Sequence, residues 1–218
     1  MNPAAARLVV FDLDGTLIDS SRDLATSVNA ALQRVAPGAS ALGEDVVRSF
    51  IGSGARVLIA RSLTRTGIAK PVDEVLPVFL DEYGRRLLDA TRLYPRAEEA
   101  LDRLRDRRLA VLTNKPGDMS RKILEGLGVG DRFFRVYGGG DLETRKPDPG
   151  GLQRLASEAG VEAGRALMVG DSAIDVRTGR AAGALTAGVT YGFDAASFEA
   201  DPPDLLVSSL TELADLLA

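Results

Sequence analysis

Two aspartates separated by one residue, Asp12 and Asp14, close an apolar run in VVFDLDGTLIDS, residues 9–20. Thr113, Asn114 and Lys115 end a second apolar run. Gly170, Asp171 and Ser172 end a third, with Asp175 a helical turn further on. Lys146 precedes Pro147 in the string RKPDP. If these ends lie side by side, Asp12, Asp14, Asp171 and Asp175 crowd their negative charges into one place. Two unit charges 4 Å apart repel by roughly 4 kcal/mol at an effective dielectric near 20, so the set requires cations. Lys146 supplies one. A divalent ion held by oxygen ligands, Mg²⁺ above all, supplies the rest and commonly handles phosphate.

Residues two apart on a strand share a face at about 6–7 Å. One carboxylate of the pair can then attack phosphorus while the other reaches the leaving oxygen, and aspartate is a known nucleophile through an aspartyl-phosphate. Gly15 lets the chain turn sharply after the pair. The Thr113 hydroxyl and the Asn114 backbone N–H are suitable donors to phosphoryl oxygens, and Lys146 can hold developing charge. Plainer readings exist for each. Asp19 fits a cap for a helix starting at Ser20 better than a ligand, and Asp175 could serve only as a first-turn acid favoured by the helix dipole. The joint occurrence of these residues at strand ends favours a single site.

Composition narrows the chemistry. The chain has no histidine and no cysteine. A Ser-His-Asp triad, an imidazole base, thiolate chemistry and disulfides are therefore excluded. Its only lysines are Lys70, Lys115, Lys122 and Lys146. The net charge of −4 advertises neither nucleic acid nor anionic lipid as a partner. The expected ligand is a small phosphorylated metabolite. MNPAAARLVVF carries one Arg and a short apolar run, too little for a signal-peptide core or a membrane span, so the expected location is the cytoplasm. Nothing in the sequence specifies an oligomeric state.

The elements that must position these residues alternate. Leu8–Phe11, Leu109–Asn114, Phe133–Gly138, Ala166–Asp171, ALTAGVT and LLVSS read as strands. Between them, Arg96–Arg107, a stretch ending near Leu127, Gly151–Ala159 and a stretch ending at Ala182 read as helices. Gly128, Gly160 and Gly183 mark helix ends, and Ser209 with Glu212 forms a capping-box pattern for a last helix. Alternation of this kind predicts an α/β fold with a Rossmann-like parallel sheet. Residues 20–91 differ, with apolar residues at helical spacing only: Leu24, Val28, Ala31 and Leu32; then Ala55, Leu58, Ile59 and Leu63; then Val75 to Leu88. Pro77 fits the last group if it falls in a first turn, with the helix starting near Asp73 or later. The expected organisation is a catalytic core of 1–19 plus 92–218, interrupted after the first strand by a helical cap of 20–91.

FDLDGTLIDS, TNKP, RKPDP and GDSAIDV resemble the four ordered motifs of the haloacid dehalogenase superfamily. DLDGTLIDSSRDLA, IGSGARVLIARSL, LTNKPGDMSRKILEGLGV and VTYGF resemble its phosphoglycolate phosphatase branch. The resemblance spans essentially the whole chain and implies a Mg²⁺-dependent phosphatase. It implies that Asp12 is the nucleophile and that Asp14 is general acid, then base. Metal ligands would be Asp12 and Asp171 through side chains and Asp14 through its backbone carbonyl, supported by Asp175. Thr113, Asn114 and Lys146 would hold the phosphoryl group beside Gly15. Asp14 argues for phosphoryl transfer, since the dehalogenases of the superfamily lack the second aspartate. Lys70 lies in an interhelical loop, which disfavours the Schiff-base role that a cap lysine has in the phosphonate-cleaving members.

Ile51–Arg56, IGSGAR, follows a helix rather than a strand and so fails as a dinucleotide loop. It reads as an interhelical turn or as a cap loop that meets substrate. Gly138–Gly140 reads as a permissive turn beside the site. Arg56 and Arg61 are candidates for holding a substrate carboxylate, with a solvated helix face as the alternative. The expected reaction is hydrolysis of 2-phosphoglycolate. Pyrophosphate, a sugar phosphate or a phosphomutase reaction are alternatives within the superfamily, and a receiver-like phospho-aspartate switch is the alternative outside it.

Overall fold

A computed structural model describes residues 3–218. The chain runs β1 (Leu8–Phe11), β2 (Ile18–Asp19), α1 (Ser21–Val35), α2 (Glu44–Arg48), α3 (Ala55–Thr66), α4 (Val72–Gly84) and β3 (Arg92–Leu93). It continues with α5 (Ala97–Arg103), β4 (Arg108–Pro116), α6 (Gly117–Gly126), β5 (Arg135–Gly139), α7 (Gly150–Ala159), β6 (Ala166–Gly170), α8 (Ala173–Ala182), β7 (Leu185–Val189), β8 (Leu205–Val207) and α9 (Leu210–Leu217).

Six strands form one sheet in the order β5-β4-β1-β6-β7-β8, and every pairing in it is parallel. Parallel strands are covered on both faces, which is why β1, LVVF, is apolar throughout and buried throughout. Val9 and Phe11 face one apolar cluster with Leu101, Ile123 and Leu213. Leu8 and Val10 face another with Leu152, Leu155 and Met168. The chain leaves β1 for β4 on one side and later returns to β6 on the other, so the strand order reverses beside β1. Open α/β sheets bind ligands at such a point, beyond the carboxyl ends of the strands.

Helices α1 to α4 fill the segment after β1. Leu24, Val28, Leu58, Ile59, Phe79 and Tyr83 join the same buried cluster as Val9 and Phe11, so this segment packs on the sheet domain through continuous apolar contact. The spacing of apolar residues fixes α1, α3 and α4, with two departures, while the five-residue α2 carries no readable spacing. Helix α4 starts at Val72, which leaves Pro77 inside it rather than in its first turn; the helix forgoes the bond that a residue-77 N–H would donate. It ends at Gly84, and Leu88 is among the few exposed large apolar residues.

Other boundaries also moved. Helix α5 stops at Arg103, β5 begins at Arg135 rather than Phe133, and α1 begins at Ser21. The short antiparallel pair β2–β3, Ile18 opposite Leu93 and Asp19 opposite Arg92, lies where the chain leaves and re-enters the sheet domain. Two residues per strand carry no readable periodicity. Ser209 accepts from the Glu212 N–H as expected, but the Glu212 carboxylate turns to Ser208 instead of completing the box. Among the described residues no helix is long and apolar enough to cross a membrane.

Candidate active site

Asp12 lies one residue past β1, and its N–H donates to Val169 O of β6 at 2.8 Å, which fixes it between two strand ends. Its Oδ1 accepts from the Leu13 N–H at 2.7 Å and faces Lys146 Nζ at 2.9 Å. Lys146 reaches Asp175 Oδ1 at 2.6 Å with the same ammonium. Asp175 also closes a capping box with Ser172 at the start of α8. One Asp175 oxygen thus meets Lys146 while the other caps the first turn of α8. Asp171 Oδ2 accepts from the Phe193 N–H at 2.6 Å. Asp12, Asp171 and Asp175 each offer an oxygen within 4.8 Å of the others, and all are buried.

This clustering shifts the carboxyls. Burial pushes Asp12 up to about 6; Lys146 pulls it down and Asp175 pushes it further up. Burial pushes Asp171 well above the carboxylate range, with Asp175 and then Asp12 adding to it. Burial pulls Lys146 down, but Asp12 and Asp175 outweigh it and hold the ammonium above its ordinary value. One lysine against three buried carboxylates leaves a surplus of negative charge, which a divalent cation would offset. Oxygen donors alone suit a hard cation. The residues thus fit such an ion.

Two glycines admit this packing. A Cβ on Gly15, which has φ +81°, would lie 2.1 Å from Asp171 Oδ2, and a Cβ on Gly192 would lie 2.1 Å from Asp171 Cβ. Only glycine lets the two loops approach the carboxylate this closely.

Asp14 has different partners. Lys115 Nζ lies 2.9 Å and 3.1 Å from its two oxygens, and Ser20 Oγ donates to Oδ1 at 2.5 Å. The side chain of Asp14 stands outside the Asp12, Asp171 and Asp175 group. Thr113 is buried, and its Oγ1 accepts from the Lys115 N–H at 3.3 Å. Asn114 Nδ2 donates to Lys146 O and to Gly52 O, both at 3.0 Å. Gly52 belongs to IGSGAR, so that loop does meet the strand end. Asn114 Oδ1 and the Tyr83 hydroxyl are buried without a hydrogen-bond partner among the described residues. Asp14, Tyr83, Asn114 and Lys115 line a cavity of about 30 Å³ walled by Leu24, Ile51, Leu58 and Phe79, space for roughly one water molecule.

The structure therefore gathers Asp12, Asp14, Gly15, Thr113, Asn114, Lys146, Asp171 and Asp175 at the ends of β1, β4 and β6. Arg56 and Arg61 do not join them. Arg56 is exposed and pairs with Asp73 at 2.6 Å, and Arg61 is exposed with only Phe50 O at 3.4 Å. Both occupy the solvated face of α3. Lys70 is likewise at the surface, 3.6 Å from Glu74. Asp19 accepts from the Ser21 N–H at 3.0 Å, a local contact one residue ahead of Ser20, which holds the N-cap position of α1. In the sequence Lys115 stands only as a strand-end residue, and Ser20 and Tyr83 carry no site signal. Their signal is tertiary: each gains a role only through Asp14.

Strand-end carboxylates and a buried lysine beside the switch point of a parallel sheet define an α/β protein with a carboxylate-rich centre. A family model described as haloacid dehalogenase-like hydrolase matches residues 6–183, and the chain belongs to that family. It is 37% identical over 221 residues to a phosphoglycolate phosphatase of Vibrio parahaemolyticus, covering 97% of this chain and 96% of that one. It is 41% identical to a phosphoglycolate phosphatase of Haemophilus influenzae, covering 86% and 87%. The crystal structure of a predicted phosphoglycolate phosphatase from Haemophilus somnus superposes with a TM-score of 0.90 at 31% identity, covering 98% of this chain and 99% of that one.

Proposed function

We propose that this hydrolase is a Mg²⁺-dependent phosphatase of small phosphomonoesters and that 2-phosphoglycolate is its substrate. The observation that carries the chemistry is the Asp12–Lys146 pair at 2.9 Å, buried beside Asp171 and Asp175. Asp12 is the nucleophile. Asp14 gives a proton to the leaving oxygen and later takes one from water. Lys146, Thr113 and the Asn114 backbone N–H hold the phosphoryl oxygens, and Gly15 lets Asp171 approach beside them. Asp12, Asp171, the Asp14 backbone carbonyl and Asp175 in support would hold the Mg²⁺, which when bound neutralises charge at the phosphoryl group.

In this reading residues 1–19 and 92–218 form the catalytic core and 20–91 a cap, and the protein works in the cytoplasm. The phosphoglycolate phosphatases among the relatives support the particular substrate.

A phosphomonoester panel with Mg²⁺ tests the reading. The highest kcat/KM should fall on phosphoglycolate, and Asp12→Asn should lower it by at least about a thousandfold. Full activity in Asp12→Asn would refute the mechanism. A sugar phosphate or pyrophosphate far above phosphoglycolate would refute the substrate while leaving the mechanism standing. A long-lived phosphoaspartate with negligible turnover would favour a receiver-like switch.

A further inference from the structure

We propose that Lys115 is a positioning residue for Asp14 and that Tyr83 of α4 seats it. This rests on the reading of Asp14 as proton donor to the leaving group.

Lys115 is buried, with 5% of its surface exposed. Its Nζ is within hydrogen-bond reach of both Asp14 oxygens, at 2.9 Å and 3.1 Å. On its other side the ammonium lies 4.5 Å from the Tyr83 ring centroid, well inside the range of a cation–π contact. Tyr83 is 1% exposed and stacks on Phe79, with centroids 5.8 Å apart and planes 4° apart. An aromatic pair of the helical segment thus fixes the ammonium, and the ammonium fixes the carboxylate.

The backbone is shaped to deliver Lys115 there. Between Leu112 and Pro116 the register of β4 against β5 shifts, and such irregularities re-aim side chains beside active sites. Glycines make room for the displaced backbone. A Cβ on Gly138 would lie 2.6 Å from Lys115 O, one on Gly139 would lie 2.9 Å from Asn114 O, and one on Gly54 would lie 3.1 Å from Asn114 O. Gly138 and Gly139 of the three-glycine turn and Gly54 of IGSGAR find a purpose in this.

The two lysines of the site therefore divide the two aspartates of DLD. Lys146 serves Asp12, and Lys115 serves Asp14. In the first chemical step an Asp12 oxygen bonds to phosphorus and the ester P–O bond breaks; Asp14, held here as a carboxylate by Lys115 and Ser20, takes up a proton from solvent as the negatively charged ester binds and passes it to the departing oxygen. That proton matters greatly for an alkoxide and little for a p-nitrophenolate, which leaves unaided. A positioning role predicts that disturbing Lys115 harms alkyl esters selectively. A buried ion pair that only stabilises the fold predicts no such selectivity.

The experiment measures kcat/KM for phosphoglycolate and for p-nitrophenyl phosphate, since kcat/KM reports transfer to Asp12 and not later hydrolysis. Lys115→Met should lower the first by about a hundredfold and the second by less than about tenfold. Lys115→Arg should recover part of the loss. Tyr83→Leu should shift the ratio in the same direction by a smaller factor, and Tyr83→Phe, which keeps the ring, should restore it. If Lys115→Met fails to fold, Tyr83→Leu against Tyr83→Phe decides. Equal losses on both esters, or a change in Tm with an unchanged ratio, would overturn the inference and leave the phosphatase reading intact. A wild-type protein inactive on both esters would overturn that reading and the inference with it.

Discussion

Asp12 and Asp171 carry carboxyls that burial pushes above the ordinary range, Asp12 from 3.8 to about 6. The sign follows from proton counting. Between 3.8 and about 6 the folded protein holds a proton that the unfolded chain has released, so folding stability is lost as pH rises through that window. A cation would take over the task of those protons, and its binding would release them. Mg²⁺ at about a hundred times its Kd should raise Tm by about 5–10 °C at pH 7.5 and by much less at pH 5. Asp171→Asn should remove most of the rise. Calorimetry at the two pH values checks this, and a shift equal at both would count against a carboxylate-held ion. Most of this site was legible beforehand, because Asp12, Asp171, Asp175 and Lys146 each stand at the end of an apolar run or in a short motif. Arg56 was misplaced for a physical reason: an arginine in the first turn of α3 has Asp73 within reach, and the sequence does not reveal which face of a surface helix looks inward.

At the scale of elements, long apolar runs gave away β1, β4, β6 and β7, and helical spacing gave away α1, α3 and α4. Short or irregular pieces stayed hidden. Strands β2 and β3 are defined by their pairing alone, and the shifted register of β4 is a property of two strands together. That irregular stretch carries Thr113, Asn114 and Lys115, so its tolerance of change should be low. A Cβ on Gly138 would meet Gly117 Cα at 2.5 Å, Lys115 O at 2.6 Å and Gly117 N at 2.7 Å. All are backbone atoms that cannot rotate aside. Gly138→Ala should cost about 1–3 kcal/mol of stability and reduce kcat/KM further than the unfolded fraction explains, because strand β4 must move where it holds Asn114 and Lys115. Gly43→Ala, where a Cβ meets nothing within 4 Å, is the control and should melt with the wild type. Urea melts paired with kinetics on both variants decide it. A Gly138→Ala protein as active and as stable as the control would show that β4 relaxes freely.

Across the whole molecule, the inserted helices are joined to the sheet domain by more than their apolar contact. The chain crosses between them twice, and both crossings meet at Asp23. This carboxylate is 2% exposed. It accepts from the Ala90 N–H at 2.9 Å, from the Thr91 N–H at 2.8 Å and from the Thr91 hydroxyl at 2.7 Å. The β2–β3 pair lies immediately beside it. Asp14 and Ser20 stand on the outgoing crossing and Tyr83 shortly before the returning one, so the clasp that holds the crossings together also sets where Tyr83 and Lys115 meet Asp14. Asp23→Ala leaves the Thr91 donors buried without an acceptor, which should cost about 2–4 kcal/mol and lower Tm by roughly 4–16 °C in a chain of this length. Asp23→Asn keeps one acceptor oxygen and should lose less. Proteolysis of the native Asp23→Ala protein should also cut first near residues 85–92, where the returning crossing has been released. A melt within a degree of the wild type, or cleavage scattered evenly along the chain, would mean that apolar packing alone unites the two parts. A localised cut would instead mark the crossings as the hinge on which the helical segment turns relative to Asp14.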